Sequence, residues 1–299
     1  FGLTAIEAMA MGRPVAASRS GALPELVTDG VTGVLFDPGS VGGLAAVLER
    51  LIDEPGLCRR LGAAGRAEVL ARELARKSWT RDEVAVGTAT DPYQPAEGRF
   101  RLTRGCIEAL AEAWTPFAII TRGPLIVRDV DVLQHASSRA EVGVYFSLPT
   151  LDERVWRTTE PGTAPPRSRL EAIRRLSDAG IDVGVGMAPI LPGLSDRPEL
   201  LGEVVREARA AGARSIWANV LYLRPGTREH FLEALAADWP EEVERYEQLY
   251  AGRAYLPETV ARPIKEHVRT AALATPILHR PRRPTPATPR PQEQLQLAV

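Results

Sequence analysis

From Val84 to Ala237 the chain alternates short apolar runs, rich in β-branched residues, with longer stretches of helical spacing. No other feature narrows the fold as much. Strand, polar loop and helix in repetition make consecutive strands parallel, because each helix carries the chain back along the sheet. The runs are Val84–Val86, Phe117–Thr121, Val142–Ser147, Asp182–Ile190 and Ser215–Leu223. Helices are expected over Leu102–Trp114 (with Thr103 as cap), Val130–Ala136, Ser168–Ala179 and Pro198–Ala211. Several runs are apolar on both faces, as covered parallel strands are. An α/β fold with an open or closed (β/α) barrel follows. Right-handed crossovers should set the strands side by side in sequence order, with Val84–Val86 at an edge.

In such sheets ligands bind at the carboxyl ends of the strands. Those ends carry Thr88, Thr90 and Asp91, then Thr121 and Arg122, Ser147 and Thr150, Met187, and Asn219. Hydroxyls suit a ligand carboxylate or ribose, and Met187 suits packing on a purine or thioether. Gly87 leaves room for a ligand and Pro92 ends the ladder. Each residue alone is explained by turn or core chemistry, and Thr-Asp-Pro is an ordinary turn sequence. Their convergence on one mouth is what suggests a small-molecule site.

Residues 1–66 read as a separate α/β piece. Leu3–Met11 is a helix ending at Gly12, Pro14–Ala17 and Thr32–Phe36 are strands, and Leu44–Asp53 and Leu57–Leu70 are helices. Phe1, Gly2, Leu3 and Thr4 would offer free backbone N–H groups at a helix start, which suits a diphosphate. Glu7, one turn on, could accept from ribose hydroxyls or could be an exposed helix charge. Ala67–Lys77 is helical throughout, with no Gly/Pro/Ser linker, so one helix is expected to serve both parts.

The stretch FGLTAIEAMAMGRPVAASRSGALPELVTDGVTGVLFDPGS resembles the carboxyl-terminal domain of family-4 retaining glycosyltransferases. The family pattern is Glu, seven residues, a second Glu, then A-M-A-x-G-x-P-V and D-G-x-T-G. Glu7 matches the second Glu, which the resemblance implies contacts the ribose of a sugar nucleotide; the first would precede Phe1. A truncated Rossmann-like fragment is therefore expected over 1–69.

GTATDPYQPAEGRFRLTRG, SLPTLDERVWRTTEPGTAPPRSRLEAIRRL, MAPILPGLSD and ANVLYLRPGTREHF resemble radical S-adenosylmethionine (SAM) proteins. The subgroup is the actinobacterial one similar to spore photoproduct lyase. The resemblance runs from about Leu70 to Tyr255 and implies a partial (β/α) barrel holding SAM and a [4Fe–4S] cluster. It places Thr88, Thr90 and Asp91 at the cofactor's amino end. Thr121 and Ser147 fall near its carboxylate and ribose, and Asn219 on the same mouth. The family's cluster ligands are Cys residues spaced C-x3-C-x2-C after the first strand. This chain has 2 Cys, Cys58 and Cys106, in no such pattern. An incomplete barrel over 70–274, unable to do radical chemistry, is the expectation. Alternatives are a glycosyltransferase and a non-catalytic binding remnant.

Composition adds exclusions. Net charge is −1, so no strongly basic surface argues for nucleic acid, which enters only by family analogy. No run is long and apolar enough to span a bilayer, and the chain reads as cytoplasmic. The ligating metal residues are expected to be none. Ala237–Tyr250 reads as a polar helix capped by Asp238, and Tyr255–Leu273 as helical. The Pro-rich 275–299 is expected to be a disordered tail. Oligomeric state is open.

Overall fold

The computed structural model describes residues 3–277. Phe1, Gly2, the side chain of Leu3 and most of the expected tail lie outside the described residues. The helices are α1 (Leu3–Ala10), α2 (Leu23–Leu26), α3 (Val41–Asp53), α4 (Pro55–Leu74), α5 (Glu97–Phe100), α6 (Leu102–Glu112) and α7 (Val130–Ser137). They continue with α8 (Glu153–Thr159), α9 (Pro166–Asp178), α10 (Pro198–Ala210), α11 (Thr227–Asp238), α12 (Val243–Leu249) and α13 (Glu258–Ala274). The strands are β1 (Val15–Ser18), β2 (Gly33–Phe36), β3 (Val84–Val86), β4 (Phe117–Thr121), β5 (Val142–Ser147), β6 (Asp182–Ile190) and β7 (Ser215–Val220).

The strands form two parallel sheets, β1-β2 and β3-β4-β5-β6-β7. The larger sheet has its strands in sequence order, as short right-handed crossovers require. β3 is at one edge, and neither β1 nor β2 pairs with it. The fold is thus α/β with parallel sheets.

The larger sheet is two-faced, where its strands read as apolar on both sides. One face turns Phe117, Ile119, Val144, Phe146, Val183, Val185 and Met187 into a core. Helices α6, α7, α9, α10 and α13 supply the other half of that core, through residues such as Ile107, Leu133, Ile173, Val205 and Val268. The other face carries Ala118, Ile120, Gly143, Tyr145, Ser147, Trp217 and Asn219, half-buried or exposed.

Helix α4 joins the two sheets. Leu57 and Leu61 pack with Val34 of β2 and Val47 of α3, while Leu74 belongs to the large core and Leu70 packs against it. Gly62 lets α4 touch the α1–β1 turn, since a Cβ there would overlap the Gly12 carbonyl oxygen. The expected helices Leu57–Leu70 and Ala67–Lys77 are one continuous element.

Two local expectations are corrected. Thr103 does not cap α6: its hydroxyl donates to the Pro92 carbonyl, and the Glu97 carboxylate accepts from the Thr103 and Arg104 amides instead. Ala237–Tyr250 is not one helix. Asp238 ends α11, and a 3-10 turn at Pro240–Glu242 separates it from α12, because proline cannot continue the helical ladder. Among the described residues no helix is long and apolar enough to cross a membrane.

Candidate functional site

A cleft of about 240 Å³ opens at the carboxyl ends of β3–β6, on the less buried face of the large sheet. Its rim is the loop Gly87–Asp91, and Ile120–Arg122, Tyr145–Ser147, Gly186, Ala188 and Trp217 complete it. Gly87 sits at φ +99°, and a Cβ there would overlap the Ile120 carbonyl oxygen. Only glycine lets the β3 loop fold this closely onto β4. Thr88 and Thr90 are thereby left exposed on the rim.

Asp91 is the brace of that loop. Its carboxylate accepts from the Tyr93 amide (2.8 Å), the Thr121 hydroxyl (2.7 Å) and the Arg122 amide (2.6 Å). Three donors occupy most of a carboxylate's acceptor sites. Asp91→Ala would strand all three donors, and a loss of about 2 kcal/mol is expected. Urea unfolding checks it, with Asp91→Asn losing less; equal stability of Asp91→Ala and the parent would show that the loop does not depend on the brace.

Behind the cleft lies a second polar chain. Arg122 Nε donates to Glu160 (2.8 Å), and the fully buried Arg169 donates to Glu160 (2.6 Å) and Thr163 (2.8 Å). Arg169 also donates to the carbonyls of Ala164 (2.9 Å) and Ser147 (2.8 Å). It ties the segment after β5 to the β5 strand end. Burial lowers the pKa of Arg169, and the charge of Glu160 opposes that.

The floor is aromatic. Tyr145 lies against Gly184 and Gly143, where added Cβ atoms would come within 2.7 and 3.0 Å of its ring. Trp217 lies against Gly186, at 2.5 Å from a Cβ built there. Across the registers Tyr145↔Gly184 and Gly186↔Trp217, each ring covers a glycine on the neighbouring strand. Trp217 is still 40% exposed. Burial pushes the Tyr145 hydroxyl upward, helped by the charges of Asp182, Glu83 and Glu141 and opposed by a hydrogen bond with Ser215.

The structure brings Thr88, Thr90, Asp91, Thr121 and Ser147 to this one cleft. The Ser147 hydroxyl donates to the Ala188 carbonyl (3.0 Å). Asn219 is exposed on β7 but does not line the cleft. Met187 does not face the mouth: it is fully buried under the helices, because its register puts it on the core side of β6. Thr150 is buried and accepts from the Asp152 amide at the start of α8. At the other end of the chain, Thr4 and Glu7 are exposed on α1. Tyr145, Trp217, Glu160 and Arg169 were not anticipated; only the Gly-x-Gly of β6 hinted at rings lying on the sheet.

Neither cysteine stands in the cleft. Cys58 Sγ donates to the Leu51 carbonyl (2.9 Å), and burial pushes the Cys106 thiol up, against the pull of Arg66. A metal ligand is a thiolate, which burial disfavours. Among the described residues no three His, Cys, Asp or Glu side chains are grouped to hold a metal ion. The cleft offers rim hydroxyls and the exposed Trp217 ring, groups that suit a polar small molecule with a flat part.

Two family models match the chain: "Glycosyl transferases group 1" over residues 1–68 and "Radical SAM superfamily" over residues 62–205. Residues 1–68 are a group 1 glycosyltransferase segment, and residues 62–205 a radical SAM domain. The two matches overlap on α4, the helix that serves both cores. An uncharacterised protein of Mycobacterium tuberculosis is 43% identical over 202 residues, 68% of this chain and 59% of that protein. The chain thus spans little more than half the length of this relative. An MMP alpha-(1->4)-mannosyltransferase of Mycolicibacterium hassiacum is 55% identical over 67 residues, 22% of this chain and 16% of that enzyme. Spore photoproduct lyase, solved with dinucleoside spore photoproduct, has the same fold as the radical SAM domain: TM-score 0.52, 16% identity, 71% of this chain and 63% of the lyase.

Proposed function

We propose that the cleft of the radical SAM domain binds SAM, and that this chain's own residues do not support its reductive cleavage. The observation that carries the reading is the convergence of Thr88, Thr90, Thr121 and Ser147 on one cleft at the strand ends. A lyase of this fold has been solved with bound AdoMet. Thr88 and Thr90 are the rim groups free to meet a ligand's polar end. Asp91 holds them in place through the loop, and Ser147 and Tyr145 lie deeper. SAM supplies an adenosyl radical only when a cluster delivers an electron, and the 2 Cys of this chain cannot hold that cluster in the family's way. We further propose that the functional units are 1–69 and 70–274, with the second carrying the ligand site.

Calorimetry with SAM and with its uncharged-sulfur product analogue, S-adenosylhomocysteine, tests the reading. Micromolar affinity is expected, about −8 kcal/mol. Thr88→Val/Thr90→Val should weaken it tenfold or more at unchanged melting temperature. No saturable binding at millimolar ligand would refute it. A glycosyltransferase reading is favoured by the 1–68 match and by the likeness of that segment to a mannosyltransferase, with Glu7 exposed on α1.

A further inference from the structure

A second cavity lies where the two segments meet. It measures about 320 Å³ and is walled by the α1–β1 turn, helix α4, and Phe100 and Leu102 at the α5–α6 corner. Three arginines line it, Arg13, Arg59 and Arg66, and no carboxylate does. Several arginines around the large sheet, by contrast, are paired. Arg104 is paired with Asp129 and Asp131, Arg128 with Glu97 and Asp129, and Arg122 and Arg169 with Glu160. Of the junction arginines, Arg66 donates its Nε to the Ala10 carbonyl (3.2 Å). Arg13 and Arg59 have no side-chain partner among the described residues.

The backbone sets this arrangement up. Gly12 is at φ +65°, and a Cβ there would stand 2.8 Å from Arg66 Nη2. Gly62 brings α4 against the Gly12 carbonyl. The two glycines therefore press the Arg66 guanidinium against the turn, and Arg13 follows directly from that turn. Like charges gathered around one cavity repel, and an anion between them removes that penalty. Guanidinium forks favour planar or tetrahedral oxyanions, which accept two donors at once. Phe100 and Leu102 add an apolar wall.

We propose that this junction cavity binds a phosphate ester, with the phosphate on the arginines and the apolar or ring part against Phe100 and Leu102. It is not the sugar-nucleotide end of the glycosyltransferase segment. That end is at Thr4 and Glu7, and α1 carries the chain from there to Gly12 at its opposite terminus. A ligand here would touch β1's approach, α4 and α6 together, and so clamp the two segments.

Calorimetry on the full chain, with inorganic phosphate and phenyl phosphate as probes, tests the proposal. Phenyl phosphate should bind saturably and at least tenfold more tightly than inorganic phosphate, with affinity falling as salt rises. Arg13→Gln/Arg59→Gln should weaken it at least tenfold at an unchanged melting temperature. Arg206→Gln/Arg262→Gln, which removes exposed charges on α10 and α13, should leave it unchanged. Absence of saturable binding at millimolar probe overturns the proposal. So does binding untouched by Arg13→Gln/Arg59→Gln, or binding that disappears in Glu7→Ala.

Discussion

Arg169→Ala is expected to destabilise the protein by about 3–5 kcal/mol, the range for breaking a buried ion pair. The side chain is fully buried and donates to Glu160, Thr163, Ala164 and Ser147. Without it the Glu160 carboxylate, itself 9% exposed, keeps only Arg122, and the Ser147 carbonyl loses the donor that ties it to the α8–α9 segment. An uncompensated buried charge costs more than the pair ever contributed, so the partner should be part of the loss. Arg169→Met/Glu160→Gln should recover a good part of it. Thermal melts read the effect as a shift on the order of 10 °C. A melting temperature for Arg169→Ala within a degree or so of the parent would show that solvent reaches Glu160 and that the chain behind the cleft is not structural.

The second large effect is an absence. Reconstitution with ferrous iron and sulfide is expected to leave no stoichiometric [4Fe–4S] centre on this chain. Soft thiolates hold such clusters, and the chain offers Cys58, whose thiol donates to the Leu51 carbonyl, and Cys106, whose thiol burial pushes up. Neither lines the cleft at the strand ends. Electron paramagnetic resonance after reduction, with iron counted per chain, decides the matter. A stoichiometric cluster signal, above all one surviving Cys58→Ala/Cys106→Ala, would mean that other residues ligate iron and that the binding-only reading is wrong. The SAM titration stands apart from this result, because the rim hydroxyls do not require a cluster to be present.

The strands were the most legible part of the sequence. β4, β5 and β6 run over the expected residues because each is a β-branched or aromatic run closed by turn chemistry. The faces were harder to read. Gly143, Tyr145 and Ser147 alternate with Val142, Val144 and Phe146, yet small residues on the open face look like ordinary core spacing. Trp217 likewise looks like a core aromatic until its register against Gly186 is known. Helix α11 went unread because Phe231, Leu232 and Leu235 form a thin apolar stripe that gains its burial from a second core with Leu223, Trp239, Tyr246 and Tyr250. Of the cleft, the rim threonines were legible as strand-end polar groups. Arg169 was not, since an arginine within a helix such as α9 reads as a solvated charge. Its role depends on Glu160 and Ser147, brought to it by the α8–α9 segment rather than by local spacing. Asp91 shows the opposite case: the right residue in the right loop, but occupied by protein donors rather than left open.

Helix α4 also bears on how the chain folds. Two short parallel strands with α1, α2 and α3 enclose a core of few residues, and a two-stranded sheet is marginal by itself. The large sheet has a deep core that already contains the last turns of α4. Once those turns dock, the remaining turns are held in helical form and present Leu61 and Leu57 as a ready surface. Helix extension from an existing turn is far easier than starting a new one. The small sheet should then assemble last and open first, as a sub-global unit whose amides exchange faster than those of β4–β6. Protection along α4 itself should rise from Leu57 toward Leu74, a gradient within one helix that marks where one stability gives way to another.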